Sequence, residues 1–162
     1  MKTPYNYQVL KAEYEYKNIN QVMAAIRLKI IESVQFCYDT IPAFNTPREL
    51  FDYLKPMVKF RHDPDETELL QSAYTLFFNN RHGIPGAGDC DCFTILASAA
   101  FIAQGWGKFD IVLAGRNKKT PVHIYNYIYF DNEVFTFDLT EPKFDQERPY
   151  PFRQILPIRF IS

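Results

Sequence analysis

The 162 residues fit one domain, long enough to bury a core without disulfide or metal staples. Hydrophobic residues at 47% and aromatics at 17% supply enough apolar surface to offset chain entropy, which excludes a wholly disordered chain. With 18 Lys+Arg against 19 Asp+Glu, a net charge of -1 provides no sustained field, so neither nucleic acid nor an anionic membrane surface is expected as a partner.

The chain opens Met1-Lys2-Thr3-Pro4-Tyr5-Asn6, without an apolar run of signal-peptide length, and no later segment reads as a membrane span. The expectation is a soluble, cytoplasmic chain. Residues 1 to about 17, with Tyr5, Tyr7, Tyr14 and Tyr16, read as an extended arm or edge strand. From Asn20 the residues Val22, Met23, Ile26, Ile30, Val34 and Cys37 recur at helical spacing and predict an amphipathic helix ending before Pro42. Thr46-Pro47-Arg48-Glu49 is a capping box with proline at the first helical position, which opens a second helix to about Leu54. Asp63-Pro64-Asp65-Glu66 repeats that logic and predicts a third helix through Leu69, Leu70, Tyr74 and Phe77.

Residues 82–89 hold three glycines and a proline and read as a loop. Cys90 follows, then Phe93, Ile95, Leu96, Ala97, Ala99, Ala100, Phe101 and Ile102 predict a helix apolar nearly all round, ending at Gly105 and placed at the centre of the domain. Thereafter the period changes to two. Residues 109–114, 122–130, 133–138 and 155–161 read as strands, with Asp131-Asn132 as a hairpin turn. The predicted architecture is α+β, with helices first and one buried helix packed on an antiparallel sheet.

Three cysteines, an odd number, suit a reducing compartment. A cysteine nucleophile needs a stabilised thiolate, an imidazole to exchange its proton and a third group to fix the imidazole tautomer. Cys90 begins a helix, where free backbone N–H groups favour a thiolate, and Asp89 is placed to cap that helix. In the hairpin a two-residue turn pairs Phe130 with Glu133, so Tyr125 faces Asp138. His123, two residues from Tyr125, then shares a face with Asp138. A turn one residue longer would send Asp138 to the opposite face. Cys92 is a rival nucleophile, but it points nearly opposite to Cys90 on a helix. Taken singly, a buried cysteine, a strand histidine and a capping aspartate are each more often structural. Cys90-x-Cys92 with His82 or His123 also offers sulfur and nitrogen ligands for zinc, a weak pattern without a second cysteine pair. Neither an obligatory metal nor an organic cofactor is indicated.

At these residues the chain resembles the transglutaminase-like superfamily, in particular its short bacterial and phage-associated cysteine peptidase branch, with a papain-like fold. The matching segments are Glu68-Leu69-Leu70-Gln71-Ser72, Gly86 to Phe93, Pro121-Val122-His123-Ile124-Tyr125 and Phe135 to Thr140, within roughly residues 57–142. The resemblance implies Cys90 as nucleophile, His123 as base and Asp138 as orienting acid, with Gln71 as an oxyanion donor. Where the family often carries a second acidic residue, this chain has Cys92. The implied reaction is hydrolysis of a peptide or amide bond in a peptide or protein substrate, through a thioester. Protein crosslinking by transamidation is the alternative within that chemistry. A structural or assembly module of a phage particle or secretion apparatus, using the same fold without catalysis, is the alternative outside it. The aromatic face of Tyr125, Tyr127 and Tyr129 suits ordinary sheet packing, a substrate groove or a protein interface.

Overall fold

The computed structural model describes residues 9–13, 19–62, 67–78, 86–119 and 121–159. Helix α1 (Ile19–Thr40) buries Met23, Ile26, Ile30 and Cys37 of the predicted stripe, together with Phe36. Helix α2 (Pro47–Leu54) starts at the predicted cap: Glu49 N–H donates to Thr46 Oγ1 at 3.3 Å, while Glu49 Oε2 accepts from Asn45 N–H at 2.9 Å. A 3₁₀ turn over Lys55–Met57 leads into the short strand β2 (Val58–Phe60), defined with its partner below.

The third helix departs from the sequence reading. Asp63–Glu66 lie outside the described residues, and Thr67–Gln71 is a strand rather than a helical segment. The reason is the amino-terminal arm: β1 (Val9–Glu13) pairs antiparallel with β3 (Thr67–Gln71), Leu10 opposite Leu70, and this ladder takes the backbone groups a helix would have used. The remainder of the predicted arm lies outside the described residues. The helix is thereby shortened to α3 (Ala73–Phe78), where Ser72 Oγ accepts from Thr75 N–H at 3.3 Å and Ser33 Oγ of α1 accepts from Ala73 N–H at 2.9 Å.

The predicted loop before Cys90 also contains regular structure. Gly86–Gly88 forms β4, parallel to β2. Close approach explains the glycine at 88, since a Cβ there would lie 2.9 Å from Cys92 Cβ and 3.1 Å from Leu76 Cδ1.

Helix α4 (Cys90–Ala103) is the central element, buried without interruption from Cys92 to Phe101. Its N-cap is Asp89, whose Oδ1 accepts from Cys92 N–H at 3.4 Å. It ends where Gly105 takes φ +82°. The sheet that supports it is antiparallel, in the order β7-β6-β5-β8, from β5 (Lys108–Gly115), β6 (Pro121–Phe130), β7 (Glu133–Phe137) and β8 (Phe152–Arg159). Ile111, Leu113, Ile124 and Ile128 join the core that contains α4, while Val112, Ala114 and Tyr125 cluster separately. Strand β8 begins three residues earlier than its predicted start, and as an edge strand it accommodates Pro157. The molecule is α+β, with helices and an antiparallel sheet packed on the buried α4. No helix of the described residues is long and apolar enough to cross a membrane.

Candidate active site

Three elements converge on one end of the sheet. The hairpin supplies two residues. Asp131 and Asn132 both have positive φ, 53° and 63°, as the tight turn joining right-twisted strands requires. Phe130 therefore pairs with Glu133 and Asn126 with Phe137. The ladder stops there, and Asp138 leaves it into a turn closed by Glu141 N–H donating to the Asp138 carbonyl at 3.0 Å. On β6 the pairing with β5 is irregular beside His123: Ala114 lies opposite His123 and Gly115 opposite Pro121, so Val122 bulges out. Bulges of this kind re-aim neighbouring side chains.

The outcome is a hydrogen bond of 2.6 Å between His123 Nε2 and Asp138 Oδ2, with the two side chains 11% and 6% exposed. The other carboxylate oxygen, Oδ1, accepts from Thr140 Oγ1 at 2.7 Å and from Thr140 N–H at 3.0 Å. Thr140 Oγ1 lies 3.5 Å from His123 Nε2. Lys55 Nζ donates to the Leu139 carbonyl at 2.7 Å, so the residue between Asp138 and Thr140 is held from α2's end of the molecule. Burial lowers the Lys55 ammonium's pKa, against the opposing attraction of Asp138 and Glu141. The arrangement fixes the carboxylate at both oxygens and commits one imidazole nitrogen to it, leaving Nδ1 for proton exchange.

The third element is the start of α4. Cys90 is half-buried, and the backbone N–H of Ile124, the residue next to His123, is near enough to favour its thiolate. Its thiol pKa is pushed well above the ordinary range, first by burial, then by the negative charges of Asp91 and Asp89. The Ile124 N–H opposes this, and Asp138 adds to it. Asp91 Oδ1 lies 4.0 Å from the sulfur. The helix start thus carries two carboxylates that work against the thiolate its backbone would favour.

Cys92, two residues further along α4, is fully buried, and Gln71 is directed to that side. Gln71 Nε2 donates to the Ala87 carbonyl at 3.0 Å and lies 3.6 Å from Cys92 Sγ. Its amide therefore holds β4 against α4. Cys37 is sealed in the helical core, where burial alone raises its thiol pKa. His82 lies outside the described residues, and among the described residues no group of three or more His, Cys, Asp or Glu side chains is placed to hold a metal ion.

The sequence reading passed over the connection between β7 and β8, which folds back over the site. Tyr150 packs with its ring centroid 5.8 Å from that of His123, and Tyr125 stacks on the same imidazole at 5.3 Å. The proline on each side of Tyr150 was the available signal, since Pro149-Tyr150-Pro151 fixes the backbone locally.

No family model matches the chain, and no curated protein matches it. Among solved structures, it is similar to "a Putative Cysteine Protease from Cytophaga hutchinsonii", with a TM-score of 0.46, 12% identity and 96% of this chain covered. The chain spans less than two thirds, 64%, of the length of that protein.

Proposed function

We propose that this chain is a cysteine-dependent acyl-transfer enzyme that hydrolyses peptide or amide bonds, with Cys90 as nucleophile, His123 as base and Asp138 as its orienting acid. The observation that carries this reading is the His123–Asp138 hydrogen bond, anchored by Thr140 and set beside Ile124, whose backbone N–H favours the Cys90 thiolate.

Because burial and the flanking acids favour the neutral thiol, His123 acts as a general base at the moment of attack. The imidazole takes the thiol proton as the sulfur bonds to the substrate carbonyl carbon. Asp138 stabilises the imidazolium, which returns its proton to the departing amine as the C–N bond breaks. Water, deprotonated by the same imidazole, then attacks the thioester and releases the acid and the thiol. The Cys90 backbone N–H, at the helix start, is the candidate donor to the oxyanion. Gln71, engaged with Ala87 and Cys92, would have to change partners to contribute. Release to a lysine amine instead of water would make the enzyme a crosslinking transglutaminase.

The alternative reading is that the same fold serves as a non-catalytic assembly module. Alkylation by iodoacetamide at pH 8, mapped by mass spectrometry, separates the two. The enzyme reading expects modification at Cys90 with Cys37 and Cys92 spared, and a fall of about 100-fold or more in peptide hydrolysis for His123→Ala, within the range of general-base contributions. Cys90→Ala abolishes hydrolysis and Cys92→Ala retains it. Labelling of Cys90 at the same rate in wild type and His123→Ala, with no hydrolysis of a peptide library, would overturn the enzyme reading.

A further inference from the structure

Tyr150 stands in a connection with no regular structure, yet it is held from several directions. The backbone on either side is constrained by Pro149 and Pro151: each ring fixes its own φ, and each disfavours helical geometry in the residue before it. The guanidinium of Arg153, on β8, then closes over the turn. Its Nη1 donates to the Tyr150 carbonyl at 2.9 Å and its Nη2 to the Arg148 carbonyl at 2.8 Å. The same side chain is anchored to the sheet through Nε, which lies 3.1 Å from Tyr125 Oη and 3.2 Å from Glu147 Oε2.

The ring so positioned meets the imidazole. His123, Tyr125 and Tyr150 form a triangle with centroid separations of 5.3, 5.8 and 6.4 Å and interplanar angles of 26°, 31° and 29°. Tyr125 is fixed as a buried strand residue, and Tyr150 packs from the loop against both that ring and the imidazole. An imidazole bonded to a carboxylate through one nitrogen retains freedom to tilt about that bond, and the two adjoining rings packed against it restrict it. The phenol pKa is raised, first by burial, with the Arg148 charge opposing and the Asp138 and Glu141 charges adding to it, which places the side chain within the electrostatic reach of Asp138.

We propose that Tyr150 is a positioning residue, its aromatic ring locking the His123 imidazole in the plane set by Asp138 and Tyr125, and that Arg153 preorganises it for that task. The assignment rests on His123 being the base of the reaction proposed above only for its catalytic consequence. The locking itself is readable without turnover.

The test is proton NMR of the His123 imidazole N–H that is hydrogen-bonded to Asp138, recorded on otherwise intact protein carrying Cys90→Ala. Its assignment comes from its loss in His123→Ala. The resonance is expected in the parent and in Tyr150→Phe, and lost or exchange-broadened in Tyr150→Ala and Tyr150→Leu. The leucine variant fills the volume and so separates ring planarity from a cavity. Far-UV circular dichroism and the melting temperature establish that each variant is folded. In the Cys90-containing protein, iodoacetamide labelling of Cys90 is expected to slow about tenfold in Tyr150→Leu and to remain at the parent rate in Tyr150→Phe, in line with the sensitivity of such pairs to small misplacements. An unaltered imidazole resonance in folded Tyr150→Leu would overturn the assignment, as would its loss in Tyr150→Phe. Loss of the resonance in Tyr150→Leu, together with no hydrolysis of a peptide library by the Cys90-containing parent, would uphold the locking and remove the enzyme reading instead.

Discussion

Cys90 illustrates how a residue's immediate neighbours can oppose its helix. The first turn of α4 offers unpaired N–H groups, yet Asp89 and Asp91 on either side of the cysteine place negative charge beside the sulfur, and burial adds to the cost of ionising it. Both influences raise the pKa of the acid form's loss of a proton, so removing one carboxylate lowers it. Asp91→Asn is therefore expected to shift the pH profile of Cys90 alkylation to lower pH. Asp89→Asn, which also alters the N-cap, shifts it the same way with some loss of stability. The check is the labelling rate measured across pH 6 to 10; an unmoved profile for Asp91→Asn would show that the Asp91 charge does not raise the thiol. Cys37 is raised by burial alone, and Cys92 by burial together with Asp89 and Asp91; both are fully buried and become reactive only when the protein unfolds.

At the scale of the element, the hairpin β6–β7 decides whether His123 and Asp138 meet. Its turn residues, Asp131 and Asn132, both sit at positive φ, a region that costs most L-residues roughly 1–2 kcal/mol and glycine almost nothing. Asn132→Gly is accordingly expected to be neutral or stabilising, and Asn132→Val to destabilise by about 1–2 kcal/mol in urea titrations, the β-branched side chain being least tolerant there. This hairpin was legible in the sequence because the period-two pattern and the Asp-Asn turn each fixed the same register. The long helix α1, the capped α2 and the apolar α4 were legible for the same reason, with local signals agreeing. The segment 67–71 was not, since Leu69 and Leu70 suit either a helix face or a strand, and the deciding partner, β1, lies some sixty residues earlier. Tyr150 escaped notice on similar grounds. Its role comes from a loop laid back over the sheet by Arg153, a contact that no periodicity encodes.

Across the whole molecule, the sheet's second face is closed by polar contacts as well as apolar packing. Glu147 Oε2 accepts from the hydroxyls of both Tyr125 and Tyr127, and Arg153 bonds to Tyr125 and Glu147 while holding the turn above them. This cluster connects β6, the β7–β8 connection and β8, so its protonation state is coupled to the folding of the carboxyl-terminal half. Burial, reinforced by the bond to Glu147, pushes the Tyr127 phenol up to about 12 from its ordinary value near 10, and Tyr125 is raised by the same two causes. A group whose pKa is higher folded than unfolded contributes stability that is complete below the unfolded value and disappears as the pH passes through the folded one. The unfolding free energy is therefore expected to fall between about pH 10 and pH 12. Tyr127→Phe, lacking the titrating hydroxyl, should flatten that decline at the expense of some stability at neutral pH, where its hydrogen bond to Glu147 is lost. Urea unfolding at pH 8, 10 and 11 would measure both effects. A decline of equal slope in wild type and Tyr127→Phe would show that the Tyr127 hydroxyl does not carry the alkaline sensitivity, and would leave Tyr125 as the phenol of this cluster that does.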